Sequence, residues 1–278
     1  MKETVFISEW LKKSYPLVHD SLCHAFDKCK VSFQTLPYSN DYWCRDFMPV
    51  HIGNGKYVGY KYCPDYLRDN PSQRQYITNQ FAACEDIDIK MADCMDVIFD
   101  GGNYVRCGET VLVTDKIFME NPQWRPRRLI ESMEEAFQAE VILLPWDMED
   151  ECGHADGMVA WLGRNRILMN NYRQLEKGKD KPFTKRVMKI LEANFDITEL
   201  SYDCKIHPDS WCYLNYLETD NGIILPALSE TMDCDNDLAA LELFMALFPQ
   251  KEVVQVFAAP LIKKGGAIHC ITWTLFKQ

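Results

Sequence analysis

Residues 46–61 read DFMPVHIGNGKYVGYK. Two β-prone runs flank Gly53-Asn54-Gly55, a strong turn signal, and together they predict a β-hairpin. The pattern returns four more times. GGNYVRCGETVLVTD (101–115) turns near Gly108, and GHADGMVAWLGRNRILMNN (153–171) turns at Gly163 to Asn165. WCYLNYLETDNGIILPAL (211–228) turns at Asp220-Asn221-Gly222, and the last is GGAIHCITWTLF (265–276). From Asp46 to Gly101 is 55 positions, from Gly101 to His154 is 53, from His154 to Tyr213 is 59, and from Tyr213 to Gly266 is 53. A pattern of structure recurring at this period marks a repeated module.

Helical periodicity fills the intervals. Leu17 to Cys29 places Val18, Leu22, Ala25 and Phe26 near helical spacing; Arg125 to Ala139, Lys181 to Asn194 and Asn236 to Phe248 read alike, and Gln73 to Cys84 is the weakest case. Short strand candidates follow, such as Glu140 to Pro145 and Glu252 to Phe257. Five modules account for all 278 residues. The expectation is an α/β fold, a single domain over 1–278 built as a five-module propeller with pseudo five-fold symmetry. The fifth module lacks its final strand, and Thr4 to Ser8 can supply it, pairing the first strand with the last so that no edge stays open. Two ordinary α/β domains are the alternative, against which no Pro/Gly/Ser-rich linker appears.

Composition excludes several functions. Hydrophobic residues make up 47% and charged residues 26%, normal for a globular core. Net charge is −11, which argues against nucleic acid, whose phosphates need a basic surface. No apolar run reaches the roughly 18 residues of a membrane span. The first ten residues carry Glu3 and Glu9 and do not read as a signal peptide. Twelve cysteines at irregular spacing read as reduced, mostly buried thiols of a cytoplasmic protein. With no CxxC pair and no HExxH, no metal is expected.

Polar, reactive residues gather where the hairpins begin: Arg45-Asp46, Asp100-Gly101-Gly102-Asn103, Gly153-His154-Ala155-Asp156-Gly157 and Gly265-Gly266-Ala267-Ile268-His269-Cys270. In a propeller such ends meet near one axis, so the inventory becomes one thiol, one histidine and three carboxylates. Carboxylates raise a thiol's pKa and hinder its attack. Acids around a nucleophilic Cys make sense when the substrate is itself a cation. A planar guanidinium fits, because carboxylates grip it with paired hydrogen bonds. Strand alternation would put His154 and Asp156 on one face, and His269 on the face opposite Cys270. Taken singly, each residue has a plainer reading: Cys270 a buried thiol, His154 a structural histidine, Asp46 a cap, Asp100 a turn former.

The segments Asn40-Asp41-Tyr42-Trp43-Cys44-Arg45-Asp46, Asp100-Gly101-Gly102-Asn103, Gly153-His154-Ala155-Asp156-Gly157-Met158 and Gly266-Ala267-Ile268-His269-Cys270-Ile271-Thr272 resemble the signatures of agmatine deiminases. These enzymes stand with the bacterial peptidylarginine deiminases in the guanidine-modifying pentein superfamily. Tyr213-Leu214-Asn215-Tyr216 resembles that family too. The resemblance implies a pentein fold and a cofactor-free hydrolase that converts agmatine to N-carbamoylputrescine and ammonia, on the route to putrescine. It implies Cys270 as nucleophile, His154 as general acid/base, Asp46 and Asp156 as the grip on the guanidinium, and Asp100 as the group orienting His154. Trp43, Gly102, Asn103 and Gly266 are implied around the substrate. The partner is then a small guanidinium compound, and homo-oligomerisation stays open. Peptidyl-arginine or free-arginine deimination, amidinotransfer, and a non-catalytic binding module on the same fold are the alternatives. Where the family usually has Arg-Asp-Thr-Gly-Pro, this chain has Arg45-Asp46-Phe47-Met48-Pro49, a bulky pair expected to reshape the rim that selects the substrate's tail.

Overall fold

The computed structural model describes residues 2–170, 172–175 and 182–277. Among these residues the strands form five three-stranded sheets, all of mixed type. In each, a central strand pairs antiparallel with one neighbour and parallel with the other. A parallel pair requires a crossover, and in every sheet that connection carries helix.

The chain divides into two compact units. One is the continuous stretch Asp46–Glu199. Its central strands are Lys56–Lys61, Thr110–Thr114 and Arg166–Met169. Their hairpin partners are Val50–Gly53, Val105–Cys107 and Val159–Gly163; their parallel partners are Asp93–Ile98, Glu140–Leu144 and Asp196–Glu199. The helices Gln80–Glu85, Pro126–Phe137 and Pro182–Glu192 lie within the three crossovers.

The other unit joins the residues up to Arg45 with those from Leu200 onward. Gly222–Ala227 is central in one of its sheets, between Leu217–Glu218 and Glu252–Phe257. Lys2–Ser8 is central in the other, parallel to Phe33–Leu36 and antiparallel to Thr272–Lys277, with Phe6 opposite Trp273. The first strand thus pairs with the last, as the missing fifth-module strand required.

The central strands show why the sequence folds this way. Val111, Leu112 and Val113 are fully buried, as are Ile223, Ile224 and Leu225. Consecutive apolar residues suit strands covered on both faces. Each such side chain contributes about 1.5–3 kcal/mol. At the first hairpin, Asn54 (φ 52°) and Gly55 (φ 67°) take the two left-handed positions a tight β-turn needs. Helices Pro16–Lys28, Pro126–Phe137 and Pro182–Glu192 each open on a proline, whose missing N–H is no loss there. The expected Gln73–Cys84 helix is broken instead: a 3₁₀ turn Arg74–Tyr76 is followed by Gln80–Glu85, started afresh by the Asn79 side chain accepting from the Ala82 N–H. Asn171 and Lys181, which ended one expected hairpin and began one expected helix, lie outside the described residues.

One irregularity fixes the backbone around Asp46. The pairing of Lys56–Lys61 with Asp93–Ile98 slips between Gly59 and Lys61. Gln80 Oε1 takes up the Tyr60 N–H at 2.9 Å, and Gln80 Nε2 donates to the Phe47 carbonyl at 2.9 Å. Tyr60 Oη then donates to the carbonyls of Asp46 and Met48, each at 2.6 Å. Asp46 is held by its backbone before its carboxylate meets anything. No helix among the described residues is long and apolar enough to cross a membrane.

Candidate active site

Asp100 and His154 occupy the same local position in successive modules of the continuous unit. Asp100 (ψ 136°) is the extended residue ahead of the 3₁₀ turn Gly101–Asn103, and His154 (ψ 138°) ahead of Ala155–Gly157. Each turn is closed by its own backbone, Asn103 N–H to Asp100 carbonyl and Met158 N–H to Ala155 carbonyl, both at 3.0 Å. These turns replace the strand alternation expected at residues 154–156, and the strand begins only at Val159.

The turns bring charge together. His154 Nε2–H donates to Asp100 Oδ2 at 2.9 Å, and His154 Nδ1 lies 3.6 Å from Asp46 Oδ1. Asp46, Asp100, Asp156 and His154 are each no more than 6% exposed. Burial disfavours a charged ring, but the Asp46, Asp100 and Asp156 carboxylates outweigh it, and the imidazole is pushed up to about 10. His154 is therefore an imidazolium at neutral pH. Gly102 packs against this pair: a methyl there would collide with His154 Nδ1 and Asp46 Oδ1. Asn103 faces the backbone instead, its Oδ1 accepting from the Thr114 N–H at 2.8 Å.

A second set of buried charges adjoins the first. Tyr66 Oη–H donates to Asp100 Oδ2 at 2.9 Å, the same oxygen that His154 uses. Lys116, 2% exposed, reaches Asp65 Oδ1 at 2.9 Å and the carbonyls of Glu151 and Cys152 at 2.8 and 3.1 Å. It also lies 3.7 Å from Glu120, whose carboxyl is pushed up to about 8 by burial first and by Asp100 second, with Lys116 opposing.

The discontinuous unit carries the thiol. Cys270 sits in the turn ahead of Thr272–Lys277, not in a strand, so the expected strand-face separation of His269 from Cys270 does not apply. Asn215 organises this turn. Its Oδ1 accepts from the N–H groups of Ala267 (3.0 Å) and Cys270 (3.2 Å), its carbonyl accepts from the His269 N–H (3.0 Å), and its Nδ2 donates to Cys270 Sγ (3.1 Å). The Arg45 N–H donates to the Cys270 carbonyl at 3.0 Å. Trp43 packs on Gly266, where a methyl would run into the indole and come within 3.1 Å of Cys270 Cβ.

The structure thus gathers Asp46, Asp100, Gly102 and His154, with Asp156 within electrostatic reach, in one unit, and Trp43, Gly266 and Cys270 in the other. Phe47 and Met48 are fully buried, so the bulky pair forms core and not rim. Sequence reading assigns no role to Asn215, although its Tyr-Leu-Asn-Tyr context stands out, and none to Tyr66, Lys116 or Glu120. Tyr66 lies in Cys63-Pro64-Asp65-Tyr66-Leu67, outside every hairpin start. Among the described residues no group of three or more His, Cys, Asp or Glu is arranged to hold a metal ion.

The profile of the Porphyromonas-type peptidyl-arginine deiminases matches residues 10–275. The chain belongs to that family. Curated relatives from Lactococcus lactis and Enterococcus faecalis are 24% identical over 279 residues, covering 84% of this chain and 74% of each relative; both are named as candidate agmatine deiminases. The agmatine deiminase structures of E. faecalis and C. jejuni superpose with TM-score 0.72 at 18% identity, over 99% of this chain and 93% and 94% of theirs. A cyanobacterial arginine dihydrolase matches with TM-score 0.67 at 12% identity over 100% of this chain and 40% of its own. At these identities the likeness fixes the fold, the α/β pentein class with five small three-stranded sheets. The family is one of deiminases acting on guanidino groups.

Proposed function

We propose that this family member is a guanidine deiminase that hydrolyses agmatine to N-carbamoylputrescine and ammonia, with Cys270 as nucleophile. The observation that carries this reading is the buried cluster itself, His154 lying 2.9 Å from Asp100 and 3.6 Å from Asp46, with Asp156 within electrostatic reach. Three buried acids facing one cation leave negative charge for a second cation to neutralise. A guanidinium supplies it, with Asp46 and Asp156 as its acceptors.

Substrate charge has two effects in this scheme. It offsets the carboxylates that hold the His154 proton so tightly, bringing the imidazolium down towards the range of a working general acid. It also favours the Cys270 thiolate. The thiolate bonds to the guanidinium carbon, giving a tetrahedral adduct. His154 passes its proton to one amino nitrogen, the C–N bond breaks, and ammonia departs. A thiouronium remains on Cys270. His154, now neutral, takes a proton from water as the water's oxygen bonds to the carbon. The C–S bond then breaks as the adduct's hydroxyl proton passes to solvent, where ammonia becomes ammonium, releasing the ureido product and restoring thiolate and imidazolium. Asp100 holds His154 Nε2–H throughout.

The family's name favours a second substrate, peptidyl arginine, and the buried Phe47–Met48 pair does not decide between them. Ammonia release from agmatine, free arginine and an arginine peptide separates the readings. Release from agmatine with Cys270→Ala inactive supports the proposal. Release from none of the three, by folded protein, sinks it.

A further inference from the structure

The continuous unit contains buried polar groups that the reaction scheme does not use, and one of them, the Tyr66 hydroxyl, shares an Asp100 oxygen with His154. Asp100 Oδ2 accepts two hydrogen bonds of equal length, from His154 Nε2 and from Tyr66 Oη, each at 2.9 Å. Asp100 Oδ1 is buried and has no hydrogen-bond partner among the described residues. The position of this carboxylate, and the share of its charge that faces His154, therefore depend on Tyr66. Tyr66 is fixed in turn from the other side. Lys116 Nζ lies 5.1 Å from the centre of the Tyr66 ring and holds Asp65, its neighbour in the chain, at 2.9 Å. The Tyr66 ring also meets the His154 ring edge to face, at 6.5 Å between centres. Burial, then Asp100, keeps the phenol well above its ordinary range, so it stays a donor at any pH where the protein works.

From this arrangement we propose that Tyr66 is a positioning residue: its hydroxyl, on a ring that Lys116 overlies, orients Asp100 and limits how strongly Asp100 stabilises the His154 imidazolium. The proposal rests on the deiminase reading for its kinetic consequence alone. A phenol that shares the carboxylate's charge weakens the claim of Asp100 on the imidazolium. Without it, Asp100 stabilises the imidazolium more strongly through Nε2–H, and His154 becomes a poorer acid towards the departing amine. Tyr66 itself touches no reacting atom in this scheme. Other charged groups around His154 are Asp46, Asp156, Glu120 with Lys116 next to it, and Asp150, whose Oδ2 accepts from the His154 backbone N–H at 3.2 Å. Substitution at Tyr66 alters none of them.

The test reads His154 directly, by NMR titration of histidine-labelled, unliganded protein, with the resonance assigned from His154→Gln. Tyr66→Phe should raise the His154 midpoint by about half a pH unit. Replacing Tyr66 with 3-fluorotyrosine, a stronger donor of nearly the same shape, should lower it. A residue that merely supports packing gives no such pair of opposite signs. On agmatine, Tyr66→Phe should reduce kcat about tenfold with KM within about twofold. If Tyr66→Phe fails to fold, the fluorotyrosine arm decides alone. A midpoint unmoved by fluorotyrosine, or moved the same way by both substitutions, overturns the proposal. Opposite shifts in a protein that releases ammonia from no guanidine would leave Tyr66 as inferred and remove the deiminase activity instead.

Discussion

His154 and Cys270 are held by opposite means. The imidazole lies among carboxylates: Asp100 at 2.9 Å, Asp46 at 3.6 Å and Asp156 within electrostatic reach. The thiol lies against a neutral amide, with Asn215 binding its sulfur, its own N–H and the N–H of Ala267. Charge sets the first, so its behaviour shifts with pH and with every acid removed. Hydrogen-bond geometry sets the second, so it depends on shape. Substitutions in the two regions should therefore fail in different ways.

The largest effect is expected at the thiol itself. Cys270→Ala should lower ammonia release by at least about 10⁴-fold while leaving agmatine binding measurable by calorimetry, because the acids proposed to grip the cation remain. Full activity in this variant would end the covalent scheme. Next comes Asp100→Asn. It removes one acid that raises His154, so the histidine midpoint should fall from about 10 and kcat should drop about 10²–10³-fold. A midpoint that stays put means Asp100 does not govern the ring.

Asn215→Ala should act on geometry instead. It strips the partner from two buried N–H groups, at about 1–3 kcal/mol of stability, and should slow haloacetamidine labelling of Cys270 without moving the His154 titration. A shifted His154 titration would mean the two regions are not independent.

The same charge bears on stability against pH. The folded value of His154, about 10, lies above its ordinary 6.5. Its stabilisation is thus fully present below about 6.5 and is lost as pH rises through about 10. Wild-type protein should lose more thermal stability between pH 7 and 10 than His154→Gln does. Equal slopes would show that the ring is not charged in the folded, unliganded state.

The modules were legible in the chain because burial on both faces demands runs such as Val111-Leu112-Val113, and because tight hairpins demand residues such as Asn54-Gly55. That Asp46, Asp100 and His154 come together was legible because ionisable residues at strand starts are out of place. What could not be read was conformation at those starts. His154 and Asp156 looked like alternating strand residues, and only the hydrogen bond from Met158 to Ala155 reveals a 3₁₀ turn. Nor could the supporting residues be read. Tyr66 matters through Asp100, 34 positions away, and Lys116 through Asp65, 51 positions away. No local pattern records such partners.

The pairing of Lys2–Ser8 with Thr272–Lys277 bears on how the molecule is made. On the ribosome, the segment Val5-Phe6-Ile7 emerges early, finds Phe33–Leu36 on one side, and leaves its other side uncovered until the final strand appears. Asp46–Glu199 can condense meanwhile, since each of its sheets is complete within that stretch. A chain interrupted before Thr272–Lys277 would present an unpaired strand edge that invites pairing between molecules.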